Sequence, residues 1–209
     1  MHPAQKIDPA REAARNARRA AVLEHAEQVF AERGFTGATM VEIAARTGYS
    51  AGNLYNVFEN KEALFKEVMT SRGRLFMERL VGALSDAGSF VELLDGYVDA
   101  VLGFVEEQRN FFLILTQLTG TLEWGSGVWS KEASEIRGPI EHATLQLFER
   151  AVANFEIPAG EPRVYTSIVM GALSAYAARW IRDEDKPEDL WRHAEQLRDV
   201  LHRALGVEA

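Results

Sequence analysis

Cysteine is absent from the 209-residue chain. Disulfides, thiolate nucleophiles and zinc–thiolate sites are therefore excluded. No uninterrupted apolar run approaches the roughly 20 residues that a membrane span needs, and residues 1–21 lack the apolar stretch of a signal peptide. The expected compartment is the cytoplasm, with no membrane partner. Alternation of apolar and polar residues at period 2 is scarce, which argues against sheet. A phosphate-cradling glycine loop and a nucleophile–base–orienter set are also missing. No catalytic residue, cofactor or metal is assigned, and the chain is not read as an enzyme. Glu141-His142 lacks an i+4 partner, and His193 and His202 fall on different helix faces. The acidic run 183–185 reads as a solvated turn between helices.

Hydrophobic residues make up 47% and charged residues 26%, so a core of ordinary size can form in a soluble-type composition. The net charge of −8 argues against nucleic acid until its distribution is read. Residues 1–72 hold ten Lys/Arg and nine Asp/Glu; residues 73–209 hold thirteen and twenty-two. The front is +1 and the back −9, and the first twenty residues alone carry five basic and two acidic side chains. Only the front is electrostatically fitted to meet phosphate.

The apolar period is helical nearly everywhere. Residues 1–16 have little apolar content and read as a flexible arm that can fray into helix. Val22, Leu23, Ala26, Val29 and Phe30 mark a helix that Gly34 stops. Thr39 and Glu42 have capping-box spacing, and the helix they open carries Met40, Ile43 and Ala44 inward to about Thr47-Gly48. Ser50 caps a third helix running to about Phe58. Asn60 caps a fourth, with Leu64, Phe65, Val68, Met69, Phe76 and Leu80 in one stripe. Further helices are expected at 90–107, 111–118, 129–155 (with a kink at Gly138-Pro139), 162–182 and 187–205. A glycine-rich break at 124–127 separates the second of these stretches from the third.

Two short helices across a tight glycine turn form a helix-turn-helix. Gly48 sits in that turn. Ile43, Ala44, Tyr49, Leu54 and Phe58 can pack the pair onto the first helix, which leaves Ala51, Gly52, Asn53 and Asn56 outward. A face without bulk lets backbone press into a major groove, where an amide side chain can pair with adenine. Tyr55 adds a hydroxyl for a phosphate, and Lys61, in the first turn of the next helix, offers a cation for another.

Residues 18–65, with GFTGATMVEIAARTGYSAGNLYNVFENKEALF, resemble the N-terminal DNA-binding domain of TetR-family transcriptional regulators. The pattern is met by Gly34-Phe35, Thr39, Ile43-Ala44, Gly48, Ser50, Gly52, Leu54-Tyr55, Phe58, Lys61-Glu62 and Leu64. Tyr49 stands where a small aliphatic residue is usual, and Asn56-Val57 where aromatic residues or His are frequent. The resemblance implies an all-α fold: a three-helix DNA-binding domain at 17–62, then a helical effector-binding and dimerisation domain at 63–209. It implies a regulator, usually a repressor, that binds a near-palindromic operator in double-stranded DNA as a homodimer and is released by a small effector. Thr39, Ser50, Ala51, Gly52, Asn53, Tyr55, Asn56 and Lys61 are the candidate DNA contacts.

The back region carries no comparable motif. Its last two helices are the candidate dimer interface, through Leu173, Ala177 and Trp180 on one and Leu190, Ala194, Leu197 and Leu201 on the other. Phe104, Phe111, Phe112, Trp124, Trp129, Phe148, Met170 and Tyr176 are the candidate ligand-lining set, suited to an apolar effector. Two other readings compete. One is a helical enzyme or carrier with an incidental helix-turn-helix, which would need convergent acids or a cofactor motif in residues 90–180. The other is a DNA-bound architectural or partner-recruiting protein without an effector, for which the aromatic residues are simply core.

Overall fold

The computed structural model describes residues 9–85, 88–119, 130–182, 190 and 194–207. Trp124, Trp129, His193, the glycine-rich break and the acidic run at 183–185 lie outside them. The described residues form nine α-helices: α1 Pro9–Gly37, α2 Met40–Thr47, α3 Ala51–Tyr55, α4 Lys61–Ser85, α5 Phe90–Glu107, α6 Arg109–Thr119, α7 Ser130–Ala153, α8 Pro162–Arg182 and α9 Ala194–Leu205. They group into two compact units, Met1–Met69 and Thr70–Ala209, so the division falls inside α4 rather than at its start.

The first unit is sealed by Val22, Ala26, Val29 and Phe30 of α1, Ile43 and Ala44 of α2, Leu54 of α3, Phe58, and Leu64, Phe65 and Val68 of α4. The Phe30 and Phe65 rings meet edge to face at 4.9 Å, and Phe35 closes on Phe65 at the same distance. Each fully buried aromatic of this kind contributes roughly 1.5–3 kcal/mol relative to exposure. Gly34, at φ 68° and ψ 167°, breaks α1 and turns the chain toward α2; a side chain is strained in that left-handed region. α1 begins at Pro9, within the segment expected to be a flexible arm.

In the second unit α8 packs against α5, α6 and α7, and α9 packs against α5. Ser89 and Glu92 close a reciprocal capping box at the start of α5. The contact of α5 with α9 is polar at its centre. His202, buried, meets Asp95 at 2.8 Å, and Arg198 pairs with Asp99. Burial pushes the Asp99 carboxyl above its usual value, against the pull of the Arg198 charge. Pro139 lies inside α7.

The side of α8 and α9 expected to face a second copy is turned inward. Leu173, Ala177, Leu190, Ala194 and Leu201 are buried within one chain. Leu197 and Trp180 are half-buried, with Arg109 above the Trp180 ring at 5.7 Å. The bulkier stripe of each helix goes to its own core because that burial is always available; periodicity alone does not say which partner covers a stripe.

Candidate nucleic-acid interface

Thr39 is extended and caps α2, its Oγ1 accepting the Glu42 N–H at 3.1 Å. The Glu42 carboxylate turns instead to Arg33 at 3.3 Å and Arg46 at 3.7 Å. Arg46 also pairs with Glu32, and this hydrogen bond holds the Glu32 carboxyl below its usual value. α2 ends at Gly48, whose left-handed φ of 71° lets the Tyr49 N–H reach back to the Ala44 carbonyl at 3.0 Å. This closure satisfies carbonyls that a helix end leaves open. Ser50 then caps α3, accepting the Asn53 N–H at 3.2 Å.

The turn fixes which way α3 faces. Leu54 is wholly buried and Phe58 nearly so. Thr39, Ser50, Gly52, Asn53, Tyr55 and Asn56 are exposed, and Ala51 is half-buried. A Cβ added at Gly52 would meet nothing within 4 Å. Tyr55 is 52% exposed although it is a large aromatic next to a sealed core. Thr39 and Ser50 each keep a hydroxyl hydrogen to donate outward, since their oxygens act here as acceptors. The candidates of α2 and α3 are thus accessible to solvent, apart from the half-buried Ala51. Val57, beside Asn56, is 40% exposed as well, although it is apolar.

Lys61 is placed otherwise. Its Nζ donates to the Phe35 carbonyl at 2.7 Å and the Ala38 carbonyl at 3.0 Å, with Thr36 O at 3.5 Å. It also lies 4.6 Å from the Phe35 ring centre. These carbonyls lie at the C-terminal end of α1 and just past it, and a cation is the natural partner for a helix end. The expectation of a phosphate role used only the position of Lys61 in the first turn of α4; its actual acceptors come from a turn whose path the sequence does not display. Asn60 caps α4 as expected, its Oδ1 accepting the Ala63 N–H at 2.7 Å.

Residues 22–68 match the family model for bacterial regulatory proteins of the tetR family. Over 198 residues the chain is 34% identical to the HTH-type transcriptional repressor BepR of Brucella suis biovar 1, covering 91% of this chain and 93% of that protein. The chain belongs to the TetR family. Members of the family are DNA-binding transcriptional regulators and not enzymes. The fold agrees with solved TetR-like structures. FadR from Bacillus subtilis, in complex with stearoyl-CoA, superimposes with a TM-score of 0.73 at 20% identity, over 87% of this chain and 96% of that one. AibR, in complex with isovaleryl coenzyme A and operator DNA, gives 0.72 at 21% identity, over 91% and 100%.

In this TetR-family chain the candidate ligand residues fall into separate groups. Phe104, Phe111 and Phe112 form one aromatic cluster, all buried. Phe76 of α4 joins it at 4.9 Å from Phe104 and 5.3 Å from Phe112, a member the candidate set omitted. Phe148 packs instead against Phe90 at 5.6 Å and Tyr165 at 5.9 Å. Tyr176 donates its hydroxyl to the Leu190 carbonyl at 3.2 Å, and Met170 is half-buried. A polar pair escaped notice: the buried Tyr97 hydroxyl is hydrogen-bonded to Thr144, and burial raises its pKa. Among the described residues no group of His, Cys, Asp and Glu is placed to hold a metal ion, and no helix is long and apolar enough to cross a membrane.

Proposed function

We propose that this TetR-family regulator is a cytoplasmic repressor that binds a near-palindromic operator as a homodimer and is released by a small, largely apolar effector. The observation that carries the reading is the uncovered face of α3: Gly52 bare, Asn53 and Asn56 exposed, Leu54 sealed beneath. Asn53 and Asn56 read base edges in the major groove; Ala51 and Gly52 let the backbone approach; Thr39, Ser50 and Tyr55 donate hydroxyls to phosphates. The name of BepR supports the sign of regulation.

One short helix reads few bases, so two heads about 34–36 Å apart are needed to reach successive major grooves. The mating surface is the outer side of α8 and α9. Val164, Ile168, Gly171 and Ala175 recur along one exposed stripe of α8, and Val200 and Ala204 are exposed on α9. An apolar effector is supported by the aromatic cluster around Phe104; the ligands of FadR and AibR, stearoyl-CoA and isovaleryl coenzyme A, share an apolar acyl group but carry it on a charged carrier.

Selection of binding sites from random duplexes tests the reading. The expected result is an inverted repeat, and recovery of no preferred sequence overturns it. Titrating the protein–operator complex with acyl-CoA thioesters and the matching free acids should then release DNA. A second reading, a DNA-bound protein without an effector, is favoured by the close packing of Phe76, Phe104, Phe111 and Phe112. Native mass spectrometry of the purified protein separates the two: a co-purified apolar molecule supports the first.

A further inference from the structure

α1 extends well beyond the core it serves. Val22 is the first buried residue, while residues 10–18 are all exposed. From Pro9 to Val22 the helix runs about 20 Å at 1.5 Å per residue. A helix that is polar all round gains no burial to hold it there. Its sequence, AREAARNARRAA, is rich in strong helix formers, which explains why it forms, but not what it is for.

The direction of its side chains is informative. At about 100° per residue, Arg11, Arg15 and Arg18 lie within about 60° of one another, on the stripe that Val22 continues into the core. The face that packs on the helix-turn-helix in its apolar part is thus arginine in its projecting part. A concavity of about 750 Å³ opens beneath it, between these turns and the C-terminal end of α3, where Asn56 and Val57 form the opposite wall. Four arginines line it and no carboxylate does. Arg19 is a fixed wall, paired with Glu67 and stacked 4.4 Å over the Phe58 ring. Arg15 and Arg18 make no ion pair among the described residues.

We infer that this groove is a second DNA contact, which receives the sugar–phosphate strand beside the bases read by α3. The inference rests on the DNA-binding function proposed above and adds to it a site on α1. The three arginines span about 10 Å along the helix, enough to reach neighbouring phosphates of one strand. A guanidinium suits a phosphate because its fork offers two parallel donors. Asn56, on the shared rim, places the strand next to the reading face. The guanidiniums on its rim are donors suited to phosphate oxygens, and such contacts supply strength and footprint, not sequence preference.

The test uses the full chain. The triple variant Arg11→Gln, Arg15→Gln, Arg18→Gln keeps helix-forming residues at exposed sites, and circular dichroism should show an unchanged melt. Affinity for the selected operator is measured across a series of salt concentrations. Each lost phosphate contact flattens the slope of log K against log salt by about 0.9, so the change expected is up to about 2.7 per reading head. The preferred sequence stays the same. The wild type on an operator whose flanking phosphates are neutral methylphosphonates should show the same loss, and combining variant and modified duplex should add little further. An unchanged slope, or losses that add in full, overturns the groove while leaving specific DNA binding intact. Failure of the wild type to select any sequence overturns both.

Discussion

Gly52 and Lys61 sit close in sequence and are handled in opposite ways. Gly52 faces open space, where a methyl group clashes with nothing in the protein. Gly52→Ala should therefore fold at least as well, since Ala is favoured over Gly in a helix by roughly 0.5–1 kcal/mol. Operator affinity should nonetheless fall by about tenfold or more, the equivalent of about 1.4 kcal/mol, because the methyl stands where the groove floor approaches. A thermal melt beside a gel-shift titration checks both halves; unchanged affinity would remove backbone approach from the mechanism. Lys61→Met should do the reverse. Losing the ammonium that joins Phe35, Thr36 and Ala38 should destabilise the first unit by about 1–3 kcal/mol. The salt dependence of the remaining DNA binding should not change. A flattened salt slope with an unaltered melt would restore Lys61 to a phosphate. The α3 face was legible from residue types because a bare helical surface is itself a pattern. The Lys61 contacts were not, because backbone carbonyls leave no mark in a sequence.

α5 runs Phe90–Glu107 and α8 Pro162–Arg182, as the periodicity indicates, whereas α3, expected to run to about Phe58, ends at Tyr55. The start of α1 at Pro9 is not marked by apolar period, because the turns before Val22 have none; their propensity alone makes them helix. The stripe expected at the dimer face is buried within one chain, since a stripe names a buried side without naming its partner. The α5–α9 contact shows a further limit, since Asp99 and Arg198 lie far apart in the chain. It also supports a prediction at this scale. Asp99 is already raised by burial, and Arg198 opposes that rise. In Arg198→Met the opposing charge is gone, so the carboxyl of the folded state moves further up. A raised carboxyl favours the fold below the unfolded pKa and loses that contribution as pH climbs through the folded value. The variant should thus be clearly less stable than the wild type at neutral pH and approach it on acidification. Melting temperatures across that range check the sign, and a deficit independent of pH would place the effect in packing alone.

At the scale of the molecule, charge and exposure divide the labour. The +1 front carries the candidate DNA surface and the −9 back is kept from phosphate by its own sign. If the outer stripe of α8 joins two copies, Val164→Glu with Ile168→Glu should yield monomers in sedimentation velocity. The fold should be little affected, because those side chains are 54% and 50% exposed in a single chain. Binding to a full operator should weaken strongly, while binding to one half-site should not; a persistent dimer would move the interface elsewhere. One consequence of the α3 surface remains. Its exposed side chains, from Ser50 to Asn56, are all uncharged. If these side chains read bases as proposed, exchanging one amide or hydroxyl for another there would alter which promoter is chosen without disturbing the ionic grip, so a duplicated copy of this gene would acquire a new regulon through a few uncharged replacements.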